Sequence, residues 1–123
     1  MTLASVYRIN GLIGLLWAAS FWFGTDMMAA SYNWEVTLPM VTMAQYLGMS
    51  FLFTAVIFIM LPNWTSSEQL KKATPTLIIL QLLAIALQVF HITSGVIPAG
   101  GMQYFGIGLS SLIIILFYWK SRA

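Results

Sequence analysis

The 123-residue chain has no cysteine and only eight formally charged side chains, five basic and three acidic. Without cysteine there are no disulfides, thiolate metal sites, iron–sulfur clusters or covalent haem attachments. Charged residues make up 7% of the chain, against about 25% in an ordinary soluble domain. That scarcity excludes a water-soluble fold. A net charge of +2 is too small for a nucleic-acid footprint, so no nucleic-acid partner is expected. No segment is long enough to form a separate soluble catalytic domain.

What remains is apolar. Three stretches lack any Asp, Glu, Lys or Arg: Ile9 to Thr25, Val36 to Ser67 and Ala73 to Trp119. A bilayer core asks for about 20 apolar residues per crossing helix. Four spans are therefore expected, at about 4–27, 38–61, 75–96 and 102–119. They form one transmembrane domain over residues 1–123, an all-α, integral membrane four-helix bundle. Thr37 and Pro39 mark a helix start, since proline suits a first turn where no intrahelical N–H bond is needed. Pro62 and Asn63 are expected to end span two. A loop then runs to Thr74, with Ser66 or Ser67 capping a short turn, and Thr74-Pro75 opens span three. Gly95, Pro98, Gly100 and Gly101 divide the last apolar run. The N-terminal run lacks a small-x-small cleavage site after a short apolar core, so it is expected to be a retained helix.

Arg8, Lys71, Lys72, Lys120 and Arg122 fall on one side of this four-span layout, and Asp26 and Glu35 on the other. The positive-inside rule then places both termini in the cytoplasm (N-in/C-in), across a bacterial or organellar inner membrane. Trp22, Tyr32, Trp34 and Tyr104 lie at the outer interface, Tyr118 and Trp119 at the inner one.

Polar groups within hydrocarbon are costly, and each needs a reason. On span three, Gln81, Ala84, Gln88, His91 and Gly95 share one narrow face at helical spacing. Span two runs the opposite way and brings Gln45 to the depth of Gln88. The expected ligand-binding candidates are thus His91, Gln88 and Gln45, with Asp26 at the rim. The plainer alternative is interhelical hydrogen bonding, worth about 0.6 kcal/mol per pair. His91 is the only histidine. A metal-bearing pigment or haem could use it as a ligand, but no protein metal site is expected and a packing role is favoured. Small residues point to close helix approach, namely Gly14 with Ala18 in span one and Gly106 with Ser110 in span four. Gly108 and Ser111 belong to the same span-four pattern. No paired acid–base site, catalytic triad or phosphate-binding glycine loop is legible, so no catalytic residue is assigned.

The order of features is also informative: Arg8-Ile9-Asn10-Gly11, then Tyr32-Asn33-Trp34-Glu35, Pro39 and Lys71-Lys72. It resembles the small four-span bacterial membrane proteins grouped as DoxX-like. That resemblance implies a four-helix membrane bundle and carries over no catalytic residue. The leading functional expectation is an accessory subunit of a larger membrane complex of energy-transducing or photosynthetic type. Its partners would be the lipid bilayer and other membrane subunits or a second copy of itself, with bound lipid, quinone or pigment as cofactor candidates. The alternative is a small homo-oligomeric transporter or hydrophobic-ligand binder built on Gln45, Gln88 and His91.

Overall fold

A computed structural model describes all residues from Met1 to Ala123 and contains no strand. Five helices follow in order: α1 (Leu3–Phe23), α2 (Thr25–Ser31), α3 (Leu38–Trp64), α4 (Ser67–Thr93) and α5 (Gly101–Arg122). Helices α3, α4 and α5 are each long and apolar enough to cross a membrane, with mean hydropathies of 1.9, 2.0 and 1.6. The α1–α2 pair supplies a fourth candidate crossing if its 98° bend is counted within one span.

That bend differs from the expected first span, which continued unbroken to Met27. The helix stops at Phe23, and Gly24 is non-helical (φ −119°, ψ 30°). The Gly24 N–H still donates to Ser20 O at 2.9 Å and the Thr25 hydroxyl to Phe21 O at 2.9 Å. Gly24 therefore redirects the chain while the α1 carbonyls keep their donors. The short helix α2 occupies a stretch that was partly expected to be loop.

The boundary between α3 and α4 also differs. Residues 62–74 do not form a loop. Helix α3 takes in Pro62, and only Thr65 and Ser66 separate it from α4. Ser66 and Gln69 form a capping box, each side chain bonding the other's backbone N–H at 3.3 Å. This satisfies two otherwise orphaned donors and starts α4 eight residues before Pro75. Thr74 is fully buried inside α4, its hydroxyl donating to Leu70 O at 2.7 Å. At α3 the expected start holds, because Thr37 Oγ1 accepts the Met40 N–H at 3.3 Å one residue before Leu38.

The chain forms two compact units. One spans Tyr7–Leu61 and packs α1 antiparallel to α3. Tyr7 stacks on Phe58 with ring centroids 5.7 Å apart, and Phe21 stacks on Phe51 at 5.4 Å. Between these pairs the backbones come close. A Cβ built on Gly11 would lie 2.7 Å from the Ala55 carbonyl oxygen, and one on Gly14 would lie 3.0 Å from Ala55 Cβ. Ala18 and Ala55 are both buried. The small-residue seam of α1 thus has its partner within the chain.

The other unit comprises Met1–Val6 and Pro62–Ala123, with α4 antiparallel to α5. Lys71 Nζ donates to Ala123 O at 2.7 Å at one end. Farther along, the Gln88 amide nitrogen lies 3.7 Å from the position a Cβ on Gly106 would take. Leu70, Thr74, Ile113 and Phe117 are buried here. Gly108, by contrast, faces open space, so it does not share the packing role of Gly106.

Candidate functional site

The α1–α3 unit carries a half-open apolar pocket of about 380 Å³. Its volume falls within the usual range for small-molecule sites. The pocket exists because of the Gly24 bend. Turning α2 nearly perpendicular to α1 lays Met28 and Ala29 across the end of the hairpin, where both are buried. Phe21 and Thr25 close one side.

The turn after α2 supplies the aromatic rim. Asn33 takes a positive φ of 57°, a conformation that asparagine tolerates better than most residues. The Trp34 N–H returns to Ala29 O at 2.9 Å. This brings Tyr32 and Trp34 together, with ring centroids 5.0 Å apart. Burial pushes the Tyr32 phenol above its ordinary pKa of 10, because the charged phenolate is disfavoured away from water.

The first four turns of α3 form the remaining wall through Met40, Met43, Ala44, Tyr46, Leu47 and Ser50. With Met28, three flexible thioether side chains line the cavity and can adapt it to an irregular apolar shape. The Ser50 hydroxyl is occupied by Tyr46 O at 3.2 Å and the Thr25 hydroxyl by Phe21 O. The Tyr32 and Tyr46 hydroxyls and the Trp34 indole N–H have no hydrogen-bond partner within the protein. No lining residue is charged. The arrangement suits solvation of an apolar body with donors offered at its edge. It contains no nucleophile–base pair.

The four residues expected to bind a ligand take other positions. Asp26 is exposed in the first turn of α2, next to Thr25 of the pocket wall. The Gln45 side chain is exposed, while its backbone carbonyl accepts the Trp22 indole N–H at 2.9 Å. Both belong to the α1–α3 unit. Gln88 and His91 lie on α4 in the other unit. There they share the least exposed stripe of α4 with Gln81, Ile85 and Ile92, whereas Ala84 and Gly95 are exposed. His91 contributes its backbone most clearly. Its carbonyl accepts N–H bonds from Val96 at 3.0 Å and Ile97 at 3.3 Å and the Ser94 hydroxyl at 3.3 Å, ending α4 beside Gly95 (φ 78°). Its ring packs near Phe90, with centroids 5.9 Å apart. Gln81 Oε1 is buried without a partner. Ser110 is half-buried on α5.

Sequence reasoning assigned Tyr32 and Trp34 to the outer interface and did not bring them together with the methionines of α2 and α3. The available signal was Gly24-Thr25-Asp26, a flexible residue followed by a polar pair that can open a second helix. Comparison of the chain with protein-family models, with curated proteins and with solved structures found no match.

Proposed function

We propose that this is a non-catalytic, multi-pass membrane protein whose α1–α3 unit holds a hydrophobic molecule dissolved in the bilayer. The pocket carries this reading: a preformed apolar cavity with adaptable walls and unpartnered donors at its edge. In this reading the chain makes four crossings in the DoxX-like manner, the α1–α2 pair counting as one. Both termini face the cytoplasm of an inner membrane, as the placement of the five basic residues favours. Helix α2 then lies along the outer interface and the pocket opens sideways towards lipid, past the exposed side chains of Met43 and Tyr46.

The test uses N-phenylnaphthylamine, an uncharged apolar fluorophore, with the purified protein in detergent. Saturable fluorescence enhancement is expected. Ser50→Phe places a ring in the pocket from an exposed helix position and is expected to weaken binding about tenfold, the equivalent of one displaced apolar group. Equal binding by wild type and Ser50→Phe overturns the proposal.

The accessory-subunit reading has its own support in α4. None of its most apolar 18-residue stretch is buried within the chain, and its exposed surface is available to lipid or to helices of another subunit. Stoichiometric co-purification with a larger complex in mild detergent supports this reading. Recovery of the protein alone and monodisperse removes it.

A further inference from the structure

The rim of the pocket has a specific chemistry beyond its apolar interior. Its free donors are the Tyr32 and Tyr46 hydroxyls and the Trp34 indole N–H. Tyr and Trp rings settle at the headgroup level of a bilayer, the depth at which glycerol ester carbonyls present acceptors. Below them the walls are apolar.

The charge beside this rim is of one sign. Asp26 directly follows Thr25 of the pocket wall, and Glu35 directly follows Trp34; both carboxylates are exposed. They are the only acidic residues of the α1–α3 unit, whose only basic residue is Arg8. Arg8 lies 15 residues before the end of α1 at Phe23, roughly 22 Å along the helix. An anionic headgroup at the rim would meet two like charges with no nearby cation in the unit. An ammonium-bearing headgroup would meet two opposite ones.

We infer that the pocket takes one acyl chain of a zwitterionic glycerophospholipid whose headgroup carries an ammonium group. The Tyr32 and Trp34 donors face its ester carbonyls, and Asp26 and Glu35 face its ammonium group. The assignment rests on the hydrophobic-ligand reading of the pocket and adds the class of ligand. It involves binding only, with no bond made or broken.

The experiment reconstitutes the full chain in nanodiscs containing equal amounts of phosphatidylethanolamine and phosphatidylglycerol with matched acyl chains. Lipids retained on the protein after gentle release are counted by native mass spectrometry. The readout is the lipid lost on Ser50→Phe, which separates the pocket from lipid held at the basic end of α4 and α5. That lipid is expected to be phosphatidylethanolamine over phosphatidylglycerol by about fivefold, the upper range for exposed charge pairs. In the Asp26→Asn/Glu35→Gln double variant the ratio is expected to fall towards one, with the amount of retained lipid unchanged. Tyr32→Phe is expected to reduce the retained amount about fivefold, as for one hydrogen bond, and to leave the ratio intact.

Phosphatidylglycerol retained as well as or better than phosphatidylethanolamine by wild type overturns the assignment. So does a preference that survives loss of both carboxylates. If either result comes with Ser50-dependent binding of N-phenylnaphthylamine, the pocket still holds a hydrophobic molecule and only the lipid class is wrong. If fluorophore binding ignores Ser50→Phe, both conclusions fall.

Discussion

The indole of Trp22 lies directly against the bare α-carbon of Gly48. A Cβ at position 48 would stand 2.6 Å from both Cδ1 and Nε1 of the ring, while Nε1 donates to the Gln45 carbonyl at 2.9 Å. The end of α1 is thereby pinned to the same stretch of α3 that lines the pocket. Gly48→Ala is expected to displace the ring and break this bond. The loss is about 2 kcal/mol, overpacking and a lost hydrogen bond outweighing the gain in helix propensity. Thermal unfolding in detergent, followed by circular dichroism, measures it. A variant as stable as wild type would show that the indole moves aside freely.

Gly11 and Gly108 form a contrasting pair. The Cβ of Gly11→Ala would meet the Ala55 carbonyl oxygen at 2.7 Å and Ile59 Cγ1 at 2.6 Å, and a backbone atom cannot swing away. A loss of about 2 kcal/mol is expected. Gly108→Ala meets nothing within 4 Å and is expected to gain up to about 1 kcal/mol from helix propensity. Parallel melting curves of the two variants decide the point, and an equal effect of both would refute the antiparallel α1–α3 seam.

Gln81 keeps a buried carbonyl oxygen without a donor. Gln81→Leu removes an unsatisfied acceptor at nearly constant volume and is expected to stabilise the isolated protein by about 1 kcal/mol. The same substitution made in native membranes tests whether another chain supplies the donor. In that case Gln81→Leu lowers co-purification of that chain while raising the stability of the purified protein.

Tyr32 makes stability sensitive to alkali. Burial raises its folded-state pKa above the ordinary value of 10. The unfolded chain therefore loses this proton first as pH rises. The contribution of the neutral phenol is fully present below the unfolded pKa and is lost as pH climbs through the folded one. Wild type is expected to lose more stability than Tyr32→Phe above pH 10. Melting temperatures of the two proteins across that range, with phenolate absorbance recorded alongside, provide the check.

The all-helical class, and apolar helices long enough to cross a membrane at roughly their observed positions, were legible in the sequence alone. Hydropathy is a local, additive property, and long uncharged runs have few alternatives in a bilayer. The Thr37 cap and the close approach at Gly14 could be read for the same reason, since each depends on residues only a few positions apart. The capping box at Ser66 and Gln69 was equally local, but neighbouring charges and Pro75 suggested a loop. The intrahelical bonding of Thr74 shows that α4 continues through this stretch.

Other features depended on the tertiary structure. Helix α3 is apolar nearly all round, so no stripe in its sequence says which face meets a partner, whereas on α4 the spacing of Gln81, Gln88 and His91 marked the less exposed face. Only the folded chain shows that Gly11 and Gly48 admit Ala55 and Trp22, and that Gly108 admits nothing. The pocket required even more. A bend at Gly24, a left-handed residue at Asn33 and four turns of α3 must coincide in space before Met28, Tyr32, Trp34 and Ser50 line one cavity. Sequence determines how strongly each segment prefers the membrane, but enclosure is a property of several segments together, and only packing decided it.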